Sequence, residues 1–324
     1  MTMKRVGVLG TFVWDSIWHP DGSSRQPVEQ WGGIAYSLAA FAGAVRGDWS
    51  VVPIARLGAD LADSALRFVG SLPNVAALDG LEIRPEPNNR VELRYHDGSE
   101  RTERLSGGVA PWTPDALLPQ IDGLDALYIN FITGYEFELA GAMALRAASP
   151  LPIYADLHSL FLGAPGEGPR PPRRLPRWDD WARCFDLVQL NEAEAGLLGL
   201  PRSEPAAILN ALPGPRPSVA LVTRGGRGAS YAQRRDHAPG DRYPASPEGE
   251  RGEPLAGEMA LEGGRLGGDP TGCGDVWGSV LFAGLLEGRA LEDAVRRAHR
   301  AAAARIRTPR IEELPEAVAS SLTA

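Results

Sequence analysis

Six short apolar runs constrain the fold of this chain more than any other feature. They cover residues 5–10, 50–54, 127–130, 153–156, 187–190 and 219–223. Four of them close on a small or polar residue (Gly10, Asn130, Asp156 and Thr223), and runs this short suit strands buried on both faces. Helical patterns lie between and after them, at residues 34–45, 61–71, 137–148, up to Leu198, and at 275–286 and 291–307. This alternation predicts an α/β protein, a three-layer sandwich with a mainly parallel central sheet and helices on both faces. The 324 residues suit a single large domain, 1–324, and 44% hydrophobic content supplies a sizeable core.

Two segments break the rhythm. Residues 89–105 alternate polar and apolar about a turn at His96–Ser99, which reads as a half-exposed hairpin, either a lid or a plain edge. With residues of about 12–31 it makes a small β segment inserted in the domain. Residues 163–176 form a Pro-, Gly- and Arg-rich loop. Residues 234–266 form a longer surface excursion with weak strands at most.

Charge and cysteine usage exclude several classes. The formal net charge is −8 and Lys and Arg form no block along a helix, so nucleic acid is not an expected partner. Two cysteines, Cys184 and Cys273, cannot build a disulfide framework, and a reducing cytoplasm is the expected setting. The apolar run 6–13 is too short for a secretory leader, and no run of 18 apolar residues spans a membrane.

The chemistry concentrates in Gly267–Ser279, a glycine-rich turn that runs into Asp275 and then an apolar helix. Small residues let backbone N–H groups converge, and a helix start adds free donors and the positive end of its dipole. Such a place binds phosphate. A carboxylate there repels the ligand unless it has a task, and the obvious task is to take a proton from a hydroxyl attacking phosphorus. Three further features fall near strand ends. Asp15 follows the first strand, as a ligand contact or a turn residue. Asn191 and Glu194 follow the fifth run, where Asn191 is by itself best read as an N-cap. Thr223, Gly225 and Gly228 close the sixth, as a phosphate contact or a turn.

Taken in order, these motifs resemble the PfkB (ribokinase-like) family of carbohydrate and nucleoside kinases over essentially the whole chain. Gly32-Gly33 is similar to its N-terminal Gly-Gly motif, Asn191 to Glu194 to its Asn-x-x-Glu motif, and Thr223, Gly225 and Gly228 to its Thr-x-Gly-x-x-Gly turn. Asp269-Pro270-Thr271-Gly272-Cys273-Gly274-Asp275 is similar to its Asp-Thr-x-Gly-Ala-Gly-Asp signature. The resemblance implies that Asp275 is the general base and that the N–H groups of Gly272, Cys273 and Gly274 form an anion hole. It implies ATP and Mg²⁺ as cofactors, with Glu194 acting on the metal and Asn191, Thr223, Gly225, Gly228 and Thr271 on the nucleotide. The excursion 234–266 and the helix from Leu291 would flank the adenine. Asp15, Gly32, Gly33, Ser37 and Asn130 would bind a sugar-like acceptor, and the hairpin would be the lid, with a homodimer through the lid as an expected assembly.

Three positions depart from the pattern. Pro270 replaces the usual Thr and stiffens the turn, and Cys273 replaces Ala, with an inert buried thiol favoured over a reactive one. Ser37 stands where many sugar kinases of the family carry Asn, so the acceptor is expected to be bulkier than ribose or differently oriented. Asp156, at another strand end, is a further candidate contact. The expected activity is ATP-dependent transfer of the γ-phosphoryl group to a hydroxyl of a sugar or sugar-like molecule. The alternatives are a nucleoside acceptor or a catalytically weak binding or regulatory protein.

Overall fold

The computed structural model describes residues 3–19, 26–76, 78–96, 101–235, 252–262, 264 and 266–323. Among them, the strands are β1 (Lys4–Leu9), β2 (Phe12–Trp18), β3 (Val28–Gly33), β4 (Trp49–Gly58), β5 (Leu81–Arg84), β6 (Arg90–Tyr95) and β7 (Arg101–Ser106), followed by β8 (Ala126–Asn130), β9 (Ile153–Asp156), β10 (Leu187–Asn191), β11 (Val219–Thr223), β12 (Ala229–Gln233) and β13 (Leu255–Met259). Nine form one sheet in the order β13-β12-β11-β10-β9-β8-β1-β4-β5. From β5 to β11 every pairing is parallel, while β12 is antiparallel to both its neighbours. The other four make a second sheet in the order β3-β2-β6-β7.

The helices are α1 (Ile34–Ala44), α2 (Ala62–Ser71), α3 (Pro114–Leu117), α4 (Leu139–Ala148), α5 (Trp178–Arg183), α6 (Glu192–Leu197), α7 (Pro205–Ala211), α8 (Cys273–Leu286), α9 (Leu291–Arg307) and α10 (Leu314–Ser321). The side-chain alternation of each buried strand divides them between two layers. Val6, Val8, Ala126 and Tyr128 face a core shared with α1, α2, α8, α9 and α10. Leu9, Leu127 and Ile129 face the opposite core, with α4, α5, α6 and α7. The expected three-layer sandwich is therefore present. The second sheet has its own small core of Val13, Ile17, Val91, Leu93, Tyr95, Leu105 and Ile132.

Several elements go beyond the sequence reading, among them β12, α5, α7 and α10. The excursion carries β13, paired along its whole length with β12. Its residues are mostly exposed, so backbone pairing and not a buried face holds it, which leaves no alternation to read. The short strand β5, Leu-Glu-Ile-Arg, extends the far edge and is likewise half-exposed. The turn expected at His96–Ser99 lies, beyond His96, outside the described residues, as do 20–25 of the segment 12–31 and 236–251 of the excursion. Among the described residues, no helix is long and apolar enough to cross a membrane.

At the end of the sheet opposite the glycine turn, Asp186 is a buried anchor. Its Oδ2 accepts from Arg146 Nη2 at 2.7 Å and from the Ile153 N–H at 2.7 Å, and its Oδ1 from Arg216 Nε at 2.7 Å. Removing one member of such a group strands the others. Asp186→Ala is expected to lower unfolding free energy by roughly 3–5 kcal/mol, measured as a drop in the urea midpoint at an unchanged m-value.

Candidate active site

The turn before α8 is locked from within. Asp269 Oδ1 accepts from the Thr271 N–H at 2.9 Å and from Thr271 Oγ1 at 2.6 Å. Gly272 is the N-cap of α8 with φ of 80°, a conformation that glycine adopts at no steric cost. A Cβ there would also lie 2.5 Å from the ring of Tyr36 on α1. The Cys273 N–H, one of the three expected anion-hole donors, closes the turn onto the Pro270 carbonyl at 3.1 Å. The N–H groups of Gly272, Gly274 and Asp275 have no acceptor among the described residues. Donors therefore remain at the positive end of a 14-residue helix, with Gly272 and Gly274 from the expected set. The half-buried Cys273 thiol lies against the Ala302 carbonyl, and burial raises its pKa to about 12.

Asp275 stands in the first turn of α8 and is held by Asn130, fully buried at the end of β8. One Nδ2 donates to Asp275 Oδ1 at 2.8 Å and to Ser37 Oγ at 3.0 Å. Both amide hydrogens are thereby committed, so Asn130 and Ser37 act on the orientation of Asp275. Burial raises the Asp275 pKa, with His158 and the Asn130 bond opposing.

Two strand ends, those of β9 and β10, bring further ionisable groups to this point. Asp156, ending β9, accepts from Gln189 Nε2 at 2.6 Å and from the His158 N–H at 3.2 Å, and pairs with His158 Nδ1 at 3.4 Å. One ligand atom each from Asp156, His158 and Asp275 falls within 4.8 Å of the others. Burial alone would lower the His158 pKa. Asp156, with Asp275 and Glu194 behind it, outweighs that and raises it to about 10. Asn191 is the N-cap of α6, and with Glu194 it forms a reciprocal capping box. The Asn191 N–H donates to Glu194 Oε2 at 2.7 Å, its Nδ2 to Oε1 at 2.5 Å, and its Oδ1 accepts from the Glu194 N–H at 2.9 Å. Burial raises the Glu194 pKa to about 7, against the pull of His158. A carboxylate engaged on both oxygens, with Asp156 and Asp275 nearby, suits a hydrated Mg²⁺ met through water.

Asp15 lies within β2, in the second sheet, and not at the turn after β1. It is buried, and burial raises its pKa well above the usual range, with Arg101 opposing. Gly32 on the paired strand β3 leaves room for the carboxylate: a Cβ there would lie 1.9 Å from Asp15 Oδ2. Gly33 then caps α1. The charges acting on Asp15 are Arg101 and Glu103 of β7 together with Asp275 and Asp269, so this carboxylate faces the turn from the second sheet. Tyr95 of β6 joins the two directly, its hydroxyl 2.7 Å from Thr271 Oγ1.

Thr223, Gly225 and Gly228 follow β11 as a tight turn, with the Gly228 N–H bonded to the Gly225 carbonyl at 3.0 Å. Beyond it, a cavity of about 280 Å³ is lined by Met259, Leu261 and Leu266 on one side and Arg296, His299 and Ala303 of α9 on the other. The sequence reading missed His158, Gln189, Tyr36 and Tyr95. His158 alone carried a local signal, standing two residues past a strand-ending carboxylate.

No family model matches the sequence, and no curated protein does. Solved structures do match, over almost the whole chain. A pyrophosphate-dependent kinase in the ribokinase family, determined as a sulfate complex, aligns with a TM-score of 0.73 at 18% identity, covering 96% of this chain and 99% of that one. A nucleoside kinase of Burkholderia thailandensis in complex with inosine aligns with a TM-score of 0.71 at 16% identity, covering 98% of each chain. A ribokinase from Cryptococcus neoformans var. grubii serotype A in complex with ADP aligns at 0.69 and 19%, covering 98% and 99%. The chain thus has the ribokinase-like α/β fold, and many of its structural neighbours are kinases of the ribokinase family.

The Glu194 carboxyl gives a stability signature. With its folded pKa raised from 4.5 to about 7, the folded state holds the extra proton between those values. Stability therefore falls as pH rises through that window. In metal-free buffer, the wild type is expected to lose stability relative to Glu194→Gln, which keeps the capping geometry, between about pH 4.5 and 7. Urea midpoints at several pH values check this, and a constant difference would contradict it.

Proposed function

We propose that this chain is a PfkB-type kinase that transfers the γ-phosphoryl group of ATP to a hydroxyl of a sugar or sugar-like polyol. The observation that carries the reading is Asp275 itself. It is a half-buried carboxylate at the head of α8, aimed by Asn130, beside helix-start N–H groups with no acceptor among the described residues.

In the proposed reaction Asp275 takes the proton of the attacking hydroxyl. Its raised pKa brings it nearer to neutrality, which makes it a better base than a free aspartate. The free N–H groups of Gly272, Gly274 and Asp275 receive the charge that builds on the transferring phosphoryl group. A preorganised donor of this kind is worth roughly 3–4 kcal/mol where one has been removed from other enzymes. Asp15, facing this point from the second sheet, accepts from acceptor hydroxyls. The second sheet acts as the lid, excluding water so that the donor is not hydrolysed. Glu194 and Asp156 would hold Mg²⁺ through its waters, and the ion supplies neutralising charge to the donor phosphates. Thr223 and the Gly225–Gly228 turn lie along the donor phosphates, and the cavity beside α9 has apolar walls suited to a purine.

The test is a coupled assay of ATP against sugars, polyols, sugar acids and nucleosides, with pyrophosphate as an alternative donor. Turnover with ATP on a polyhydroxy acceptor is the expected result. Saturable binding with no turnover on any pair would favour the binding-protein reading. Asp275→Asn is expected to lower kcat by about 10³-fold or more with ATP affinity retained, beyond the middle of the range for loss of a general base. Near-normal turnover in that variant would sink the assignment. Chelation by EDTA is expected to stop the reaction, and its restoration by added Mg²⁺ checks the metal requirement.

A further inference from the structure

We infer that Arg305 is a positioning residue for this transfer site, a buried guanidinium on α9 that fixes the donor-binding turn through Asp269 and Tyr36. The inference rests on the kinase reading for what the turn binds, and on its own geometry for the rest. Arg305 is the largest fully buried side chain among the described residues, 2% exposed. Its Nη2 donates to Tyr36 Oη at 3.1 Å and lies 3.5 Å from Asp269 Oδ2, while Nη1 donates to the Thr308 carbonyl at 3.0 Å. The guanidinium also sits 4.9 Å from the centre of the Tyr36 ring.

Both partners act on the turn. Asp269 uses its other oxygen to hold the Thr271 N–H and hydroxyl. The Tyr36 ring packs against Gly272, in the space any larger residue there would need. Gln30 Nε2 donates to the same Tyr36 hydroxyl at 2.8 Å, which ties β3 into the arrangement. One buried cation thus sets the position of the residue that caps the turn and of the ring that supports it.

A purely structural account explains this poorly. A buried ion pair seldom stabilises a fold more than apolar residues of the same volume would. Asp269, three residues before Gly272, would repel an incoming phosphate if left uncompensated. Arg305 offsets that charge at Oδ2, 3.5 Å away, and leaves Oδ1 free to cap Thr271. The physical gain is therefore at the anion site, in shape and in potential.

The experiment compares the wild type with Arg305→Lys, Arg305→Ala and the double variant Asp269→Asn/Arg305→Met. The double variant removes both charges and is expected to fold even where a single variant does not. Steady-state kinetics should show the KM for ATP raised at least tenfold in the double variant, with the acceptor KM within twofold of wild type. Arg305→Lys should recover only part of the ATP affinity, because an ammonium lacks the planar fork. Guanidinium chloride at millimolar concentration should restore part of the activity of Arg305→Ala. Binding of inorganic phosphate, followed by phosphorus NMR, supplies a readout free of turnover and should weaken about tenfold in parallel. If the chain proves not to be a kinase, the phosphate titration still decides the role of Arg305. A folded double variant with unchanged ATP KM and unchanged phosphate binding overturns it, as does an equal rise in both KM values.

Discussion

Four ionisable side chains, Asp156, His158, Glu194 and Asp275, share one end of the central sheet, and their mutual electrostatics is the constraint that the site is built around. Three carboxylates in a buried space would each protonate or push the others away. The structure meets that cost group by group. Asn130 donates to Asp275, Gln189 to Asp156 and Asn191 to Glu194, while His158 carries a positive charge among them. The raised pKa values of Asp275 and Glu194 show that the compensation is incomplete. A site left in that condition favours events that relieve it, namely arrival of a cation or uptake of a proton by a carboxylate. Both belong to the proposed reaction.

Legibility in the sequence followed how local each feature is. The parallel sheet could be read because six runs buried on both faces carry their own apolar signature. The anion turn could be read because Gly272, Gly274 and Asp275 are adjacent, and adjacency fixes their geometry whatever the rest of the chain does. The capping role of Asn191 was visible for the same reason. By contrast, the clamp of Asn130 on Asp275 joins residues 145 positions apart, and its partner Ser37 looked only like a shortened substrate contact. Gln189 sits mid-run in an apolar strand, where nothing in the pattern says that its amide reaches Asp156 and the Gly274 carbonyl. Asp15 reads as a ligand contact or turn residue just past the first strand, and its pairing partners could not be read, because β2 mixes aromatic and polar residues and pairs on one side with β6, far along the chain.

The turn is braced from more than one direction, and each brace belongs to a different part of the fold. Tyr95 reaches it from the second sheet, Tyr36 from the helix that follows Gly33, and Arg305 from α9. Consequently the turn is registered against the second sheet, α1 and α9 at once. Such coupling suits a transfer centre, where two ligands must be registered to within a fraction of an ångström.

The same arrangement argues for a division of labour between the two sheets. The central sheet places Asn130 and Asp156 at the carboxyl ends of parallel strands, and Glu194 just past another, where ligand groups collect in folds of this kind, while α8 supplies Asp275. The second sheet contributes Asp15, Tyr95 and the Arg101–Glu103 pair of residues on β7, which face the same point from the opposite side. Its core is small and separate from the two main ones. Phe12 of β2 and Trp31 of β3 pack into the main core and anchor that side of the sheet, while the Tyr95–Thr271 bond ties β6 to the glycine turn. In the proposed reaction, acceptor recognition on this sheet would link arrival of the correct hydroxyl to completion of the anion site, which is how a kinase can hold its donor without spending it on water.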